Sequence, residues 1–233
     1  MRRETFLIVR GARLAVAGAL FVSGIGCAPA LRSPASKTSA SLTRPLTGPI
    51  RNVVIDAGHG GHDPGTSHHG LKEKHLALDI ARRLRADLEQ AGLRVVMTRE
   101  TDRFIPLSSR SGVANRMAAN LFVSVHINAN KSQRVSGAEV YYPRESTMIG
   151  SAQWPPFIAP TEIGVSSSAA RRALWEMVLR RTRSYSHHLA SSVCGQLRNE
   201  LAVSCKVKSA RFVVLREATM PAVLGEVGYV STR

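Results

Sequence analysis

The chain has 233 residues, of which 44% are hydrophobic, and 32 Lys and Arg residues against 16 Asp and Glu residues give a formal net charge of +16. This length suits one domain of ordinary size with a tail, and the apolar content allows a sizeable core. The positive charge favours anionic partners such as nucleic acid, membrane headgroups or an acidic cell-wall polymer. Because the sequence has no arginine-rich tract and no nucleic-acid-binding motif, charge alone does not indicate a nucleic-acid binder.

Residues 1–27 have the pattern of a signal peptide. Several arginines precede an apolar stretch, residues 14–22, that is too short to span a bilayer. Two processing sites fit the sequence. Small residues before Cys27 resemble a lipobox that would lipidate Cys27, although glycine stands where leucine is usual, and residues 28–30 form an Ala-x-Ala site for ordinary signal peptidase. The alternative is an uncleaved anchor. We expect export to the periplasm, as a soluble protein or as a lipoprotein on the envelope membrane.

Residues 28–49 are rich in Ser, Thr, Pro and Ala and are predicted to be a flexible linker before a domain over residues 50–233. At the start of that domain, short apolar runs alternate with segments whose apolar residues recur every three or four positions. These patterns are typical of buried strands and amphipathic helices. The predicted strands cover residues 52–57, 93–98, 121–127 and 138–142, and the predicted helices cover residues 73–91 and 106–119.

The rest of the domain begins with an insertion over about residues 144–184 that ends in a predicted helix. The helices are predicted at 168–183 and 187–201, and the last strands at 212–215 and 222–230. The alternation predicts an α/β fold: a single twisted, mostly parallel sheet of about six strands flanked by helices. In such sheets, ligands bind at the carboxyl edge of the strands.

Three side chains that can bind a metal stand at element ends along this edge. His59 follows the first strand in a glycine-rich loop, Glu73 begins the first helix, and His126 ends the third strand. Taken alone, each has an ordinary explanation: a solvated loop histidine, an acid favoured by the helix dipole, and a hydrogen-bonded core histidine. Together, two histidines and one carboxylate are a ligand set of catalytic zinc. Asp56 is predicted to accept a hydrogen bond from an imidazole of this group.

Glu226 is a carboxylate inside an apolar strand, between two nearby glycines. Burial raises the pKa of a carboxyl group, and such a group beside a metal is suited to act as a general base and then as an acid toward a leaving nitrogen. The alternative is a structural ion pair with one of three arginines, Arg99, Arg110 or Arg216.

Two cysteines, Cys194 and Cys205, lie in the predicted domain. Export permits a disulfide between them, and two separate buried thiols fit the sequence equally well. Their spacing is not that of a metal ribbon.

Several segments carry a resemblance to a known family. They are residues 56–65, 70–74, 124–129 and 221–231. They resemble the motifs of the zinc-dependent N-acetylmuramoyl-L-alanine amidases of bacterial cell-wall hydrolysis, the family that includes the cell-division amidases. The likeness covers most of residues 51–231, and the motifs are specific as a set, although no single one would be.

The resemblance implies a zinc ion held by His59, Glu73 and His126, with water in the fourth position and Glu226 as the catalytic carboxylate. The resemblance also implies a fold of the phosphorylase/hydrolase-like kind, and Asn128 and Arg99 are expected to help position the site. The implied reaction is hydrolysis of the amide between the lactyl group of N-acetylmuramic acid and L-alanine of the stem peptide, in cell-wall remodelling and cell separation. The alternatives are a non-catalytic cell-wall binding protein with this fold, and another zinc hydrolase of cell-wall peptides, such as a carboxypeptidase. The expected partner is peptidoglycan, with no nucleic acid, and with a membrane contacted only through an N-terminal lipid.

The sequence departs from the family pattern in two places. The family continues with a helix that covers the sheet, whereas this sequence ends at residues 231–233, so either the sequence is truncated or this member of the family lacks that helix. The insertion is also longer than a minimal amidase needs. In the cell-division members, a helix here occludes the zinc site until an activator protein draws it away. One hypothesis is that Glu176, or in second place Glu162, is an inhibitory zinc ligand. The alternative is a helix that only packs on the domain.

Overall fold

A computed structural model of the chain describes residues 49–144 and 167–231. The predictions for the signal peptide, for Cys27, for the linker, for most of the insertion and for Glu162 concern residues outside these ranges, and they stay predictions. Among the described helices, none combines the length and the apolar character needed to cross a membrane.

The described residues form eight strands and four helices. The strands are β1 Asn52–Ala57, β2 Ser67–His68, β3 Leu71–Lys72, β4 Arg94–Met97, β5 Leu121–Asn128, β6 Ala138–Pro143, β7 Cys205–Ala210 and β8 Ala222–Tyr229. The helices are α1 Glu73–Gln90, α2 Leu107–Arg116, α3 Ser168–Leu201 and α4 Val213–Arg216.

Six strands form one sheet in the order β4-β1-β5-β8-β6-β7, and β2 pairs with β3 just before α1. Every neighbouring pair in the large sheet is parallel except β6 with β8. The prediction of an α/β fold with one mostly parallel sheet is therefore confirmed. Because β6 runs against β8, the carboxyl ends of β1, β5 and β8 lie at the same edge as the amino ends of β6 and β7.

Helices lie on both faces of the sheet. On one face, α1 and α3 pack against the strands, and Ile80, Leu84 and Leu88 of α1 recur at helical spacing toward this core. On the other face, α2 and α4 form a smaller core around Phe122 and Leu215. Because β1 and β5 are covered on both sides, their sequences are almost continuously apolar.

The prediction of two helices at 168–183 and 187–201 is wrong, because α3 runs without interruption from Ser168 to Leu201. The residues between the two predicted helices include no glycine or proline that would end a helix. The hydroxyls of Thr182 and Ser186 donate to carbonyl oxygens one turn earlier, so these polar side chains are satisfied within the helix.

The last third of the domain differs from the prediction in two further elements. The predicted strand at 212–215 is wrong, because this apolar run forms the single-turn helix α4, and a short apolar run fits either structure. Strand β7 was not predicted, since its outward-facing lysines make the segment look polar. Cys194 and Cys205 form a disulfide that joins α3 to β7, which decides between the two alternatives that the sequence left open.

Candidate metal centre and active site

The three predicted metal ligands come together at the carboxyl edge of the sheet. His59 lies two residues after β1, Glu73 is the first residue of α1, and His126 lies near the end of β5. One nitrogen or oxygen atom of each residue lies within 4.8 Å of the others, a grouping that includes no further residue from the described ranges. Two imidazoles and one carboxylate, already converging, fit a divalent cation such as zinc.

Glu73 is the centre of this group and is only 4% exposed. Its Oε1 lies 3.1 Å from Nε2 of His59 and 2.9 Å from Nδ1 of His126. The backbone N–H of Thr66 donates to Oε2, and that of Ile127 donates to Oε1. Burial acts to raise the pKa of Glu73, but hydrogen bonds from the two imidazoles and from Thr66 hold it well below its usual range. Glu73 therefore stays charged at neutral pH, as an anionic metal ligand must.

The loop after β1 brings the backbone very close to these side chains. His59 has a φ of 59°, in the left-handed region that residues other than glycine rarely adopt. A Cβ at Gly58 would lie 2.4 Å from the ring of His126, and a Cβ at Gly65 would lie 2.6 Å from Oε2 of Glu73. Glycine is required at both positions because it alone permits this approach.

A carboxylate in the same loop holds the second nitrogen of His59. Nδ1 of His59 lies 2.8 Å from Oδ2 of Asp63, which leaves Nε2 to face Glu73. Burial acts to lower the pKa of His59, but hydrogen bonds and charge from Glu73 and Asp63 outweigh burial and raise it. The prediction that Asp56 accepts this bond is wrong, because Asp56 is completely buried and accepts from two hydroxyls and an arginine.

Asp63→Asn should weaken the binding of a divalent metal such as zinc by about 10–100-fold, because such hydrogen-bonded carboxylates fix the orientation of ligand imidazoles. Competition with a chelating dye measures the affinity. Asp79→Asn is the control, since Asp79 is an exposed carboxylate on α1 outside the metal group, and it should bind zinc as tightly as the unmodified protein. Equal affinities of the two variants would show that Asp63 does not support His59.

Two buried arginines hold the loop that carries His59. Arg99 is completely buried and donates to the carbonyl oxygens of Ala57 at 2.9 Å and Gly58 at 2.6 Å. Arg110 is 2% exposed and donates to the carbonyl oxygens of Ala57 at 2.8 Å and His59 at 2.9 Å. The sequence analysis predicts a positioning role for Arg99. It does not predict the equal role of Arg110, which it names only as a possible ion-pair partner of Glu226.

Asp56→Ala should lower the free energy of unfolding by about 3–5 kcal/mol, the usual cost of leaving one partner of a buried ion pair alone. The charge of Arg110 would remain buried without its carboxylate, which lies 2.9 Å away, and two buried hydroxyls would lose their acceptor. Urea denaturation measures the loss. Asp79→Ala removes an exposed carboxylate and should change stability by less than about 0.5 kcal/mol. Similar losses in both variants would contradict the buried network as the cause.

Glu226 faces the metal group from β8, directly opposite His126 of β5. Its Oε2 is buried, and among the described residues it has no hydrogen-bond partner. Burial and then the negative charges of Glu73 and Glu139 raise the pKa of Glu226 to about 7, against a lowering influence of the two histidines. The three arginines considered as its structural partners, Arg99, Arg110 and Arg216, donate to other groups. A carboxyl group with one unused oxygen and a neutral pKa is suited to exchange a proton.

The structure does not bring Glu176, the predicted inhibitory ligand, to the metal group. Glu176 lies in α3, ten residues before Ser186 (186 − 176), and the Ser186 hydroxyl accepts from the backbone N–H of Ala222. Ala222 begins β8, so this contact is at the edge of the sheet opposite the metal group. The first half of α3 therefore extends away from the metal group. Inhibition by Glu176 would need this half of the helix to adopt a different position, and it stays a prediction.

Comparison with known proteins gives one family. The family model described as N-acetylmuramoyl-L-alanine amidase matches residues 53–233. The chain is 36% identical over 217 residues to N-acetylmuramoyl-L-alanine amidase AmiC of Neisseria meningitidis serogroup B, which covers 86% of this chain and 52% of that protein. It is 31% identical over 228 residues to N-acetylmuramoyl-L-alanine amidase AmiA of Escherichia coli K12, which covers 91% of this chain and 78% of that protein.

A solved structure of another N-acetylmuramoyl-L-alanine amidase is also similar to this chain. The N-acetylmuramoyl-L-alanine amidase from Clostridium difficile 630 matches with a TM-score of 0.60 and 30% identity, over 78% of this chain and 82% of that chain. The chain spans about half the length of the AmiC relatives that it matches. The metal group and Glu226 all lie inside the residues that the family model covers.

Proposed function

The chain belongs to the N-acetylmuramoyl-L-alanine amidase family, and from this premise we propose that it is a zinc-dependent hydrolase of peptidoglycan. It cleaves the amide between the lactyl group of N-acetylmuramic acid and L-alanine of the stem peptide. His59, Glu73 and His126 hold the zinc ion, and Glu226 is the catalytic carboxylate. The observation that carries the proposal is the buried, unpaired oxygen of Glu226 beside three converging metal-binding side chains.

The chain's own residues supply the proton transfers of this hydrolysis. When bound, zinc polarises the amide carbonyl and lowers the pKa of water at the site toward about 7. Glu226 accepts a proton from the attacking water and later donates it to the nitrogen of L-alanine, and a pKa near neutrality suits both transfers. One water is consumed: its oxygen bonds to the lactyl carbonyl carbon, the carbon–nitrogen bond breaks, and the peptide leaves with a free amino group. Asp63 keeps the ring of His59 oriented throughout.

The proposal places the protein in the periplasm, where it acts in cell-wall remodelling and cell separation. The signal-like pattern of residues 1–27 supports export, and the disulfide between Cys194 and Cys205 supports an oxidising compartment. The net charge of +16 suits an anionic wall polymer. Lipid attachment at Cys27, and control by an activator protein acting on the segment that includes Glu176, are further parts of this proposal.

Digestion of purified peptidoglycan by the zinc-loaded protein, with the soluble products identified by mass spectrometry, tests the proposed function. We expect free stem peptides that begin with L-alanine together with glycan that carries no peptide, and no products once a chelator has removed the metal. Peptides shortened at the carboxyl end would indicate a carboxypeptidase. Binding to the polymer without any product, by the full chain and also by a variant that lacks residues 145–183, would indicate a wall-binding protein rather than occlusion by this segment. Either of these two results would overturn the proposal.

A further inference from the structure

A row of charged side chains crosses the sheet from the metal group to its edge strand. His126 of β5 lies opposite Glu226 of β8, and Glu226 lies opposite Glu139 of β6. Glu139 in turn lies opposite Lys206 of the edge strand β7. Residues directly opposite each other on neighbouring strands point to the same face of a sheet. The face that carries the candidate catalytic carboxylate therefore continues to a lysine at the edge.

The far end of this row is basic and accessible. Lys206 is exposed, and within the described ranges no side chain pairs with it. Lys208 follows two residues later on the same face of β7, and its side chain is 43% exposed. Its Nζ lies 2.6 Å from Oε1 of Glu139, a buried carboxylate that also accepts from the hydroxyl of Tyr141. Because an ammonium group has three donors, this bond fixes Lys208 and leaves other N–H groups able to bind an anion.

The distance between this basic pair and Glu226 matches a short stretch of peptide. Two strand spacings separate β7 from β8, or about 9–10 Å at roughly 4.8 Å per strand. An extended peptide advances about 3.3–3.6 Å per residue. Two residues span about 7 Å, so a carboxylate on the second residue after the cleaved amide stops about 2–3 Å short of the β7 backbone when the amide lies at Glu226, and the lysine side chains cover this gap.

We propose that Lys206 and Lys208 form a subsite that binds the free α-carboxylate on the second residue of the stem peptide. The inference rests on the proposed function and adds how that site recognises its substrate. Glu139 and Tyr141 hold Lys208 in place, and Lys206 supplies a second ammonium group. Charge-assisted hydrogen bonds to both lysines hold the peptide across β6 with its L-alanine end at Glu226. The glycan attached to this peptide has no charge of its own, so the peptide is the part of the polymer that a basic subsite selects.

The test compares two glycan-linked stem peptides that differ only at the second residue, which bears either a free α-carboxylate or the corresponding amide. The unmodified protein should have a KM about tenfold or more lower for the carboxylate substrate, as expected for charge-assisted hydrogen bonds. Lys206→Gln should bring the ratio of the two KM values severalfold closer to one, with the rest of the preference due to Lys208, and Lys206→Arg should restore most of the difference. Lys206 is the residue to change because its replacement leaves the pair of Lys208 with Glu139 intact.

Arg94→Gln is the matched control, because it removes an exposed cation from β4, the opposite edge strand, and it should keep the ratio. Lysines on an edge strand also protect the strand from pairing with other chains. If Lys206 had only this role, its replacement would change the KM values of the two substrates equally. If the unmodified protein shows equal KM values, or if Lys206→Gln raises both KM values alike, the subsite is wrong and the proposed hydrolase stands. If neither substrate is cleaved, the proposed function fails and the subsite fails with it.

Discussion

Glu226→Gln should lower kcat for stem-peptide release by about 10²–10⁴-fold, the contribution typical of a positioned general acid–base group. Glutamine has nearly the same shape as glutamate but cannot accept the proton of the attacking water. The three proposed metal ligands are unchanged, so the ratio of zinc to protein should equal that of the unmodified protein. Peptide release measures kcat, and elemental analysis measures zinc. The zinc-loaded protein should also lose activity as pH falls, because Glu226 takes up a proton. Burial raises the pKa of Glu226 to about 7 without a metal, and a bound cation favours the carboxylate, so the loss should begin below about pH 7.

Glu217→Gln is a matched control for this experiment. Glu217 also has a buried Oε2 without a partner among the described residues, but it does not belong to the metal group. Its replacement should leave kcat unchanged. Comparable losses in the two variants would point to a general effect of removing buried carboxylates, and a Glu226→Gln protein with normal turnover would exclude Glu226 as the catalytic group.

His126→Ala should abolish both zinc binding and peptide release. The change removes one of three proposed ligands and also the contact between Nδ1 of His126 and Glu73 at 2.9 Å. In the unmodified protein, zinc at about 100 times its Kd should add about 2.7 kcal/mol to the free energy of unfolding. Urea denaturation with and without zinc measures this gain, which should be absent from the variant.

His188→Ala is the control for the loss of an imidazole. His188 is exposed on α3 and lies outside the metal group. The His188→Ala protein should keep the zinc-dependent gain in stability and full turnover. A His126→Ala protein that still binds one zinc ion tightly and releases peptide would show that the ligand assignment is wrong.

The metal group was predictable because of how parallel strands are arranged. β1 and β5 are neighbours and run in the same direction, so the residues at their carboxyl ends, His59 and His126, must lie close together. Glu73 begins the helix that follows the loop from β1, which returns it to the same edge. Glu226 stood out because a carboxylate is costly in an apolar strand unless it has a partner or a function.

Other features depend on contacts that local sequence does not reveal. The left-handed φ of His59 turns its ring toward Asp63 instead of Asp56, and a sequence does not show that a histidine adopts this conformation. The row that ends at Lys206 depends on β7, whose alternating lysines resemble a polar segment until its pairing with β6 is known. The continuity of α3 reflects the absence of glycine and proline between the two predicted helices. Such an absence predicts a continuous helix less reliably than a glycine or proline predicts its end.

The most direct test of the central claim is digestion of peptidoglycan in water labelled with a heavy oxygen isotope, with products analysed by mass spectrometry. The account predicts that the label enters the lactyl carboxylate of N-acetylmuramic acid, that the released peptides begin with L-alanine and carry no label, and that Glu226→Gln prevents both products. Label in a carboxyl group of the peptide would mean that a peptide bond is the one cleaved, and it would contradict the assignment of this site to the amide between glycan and stem peptide.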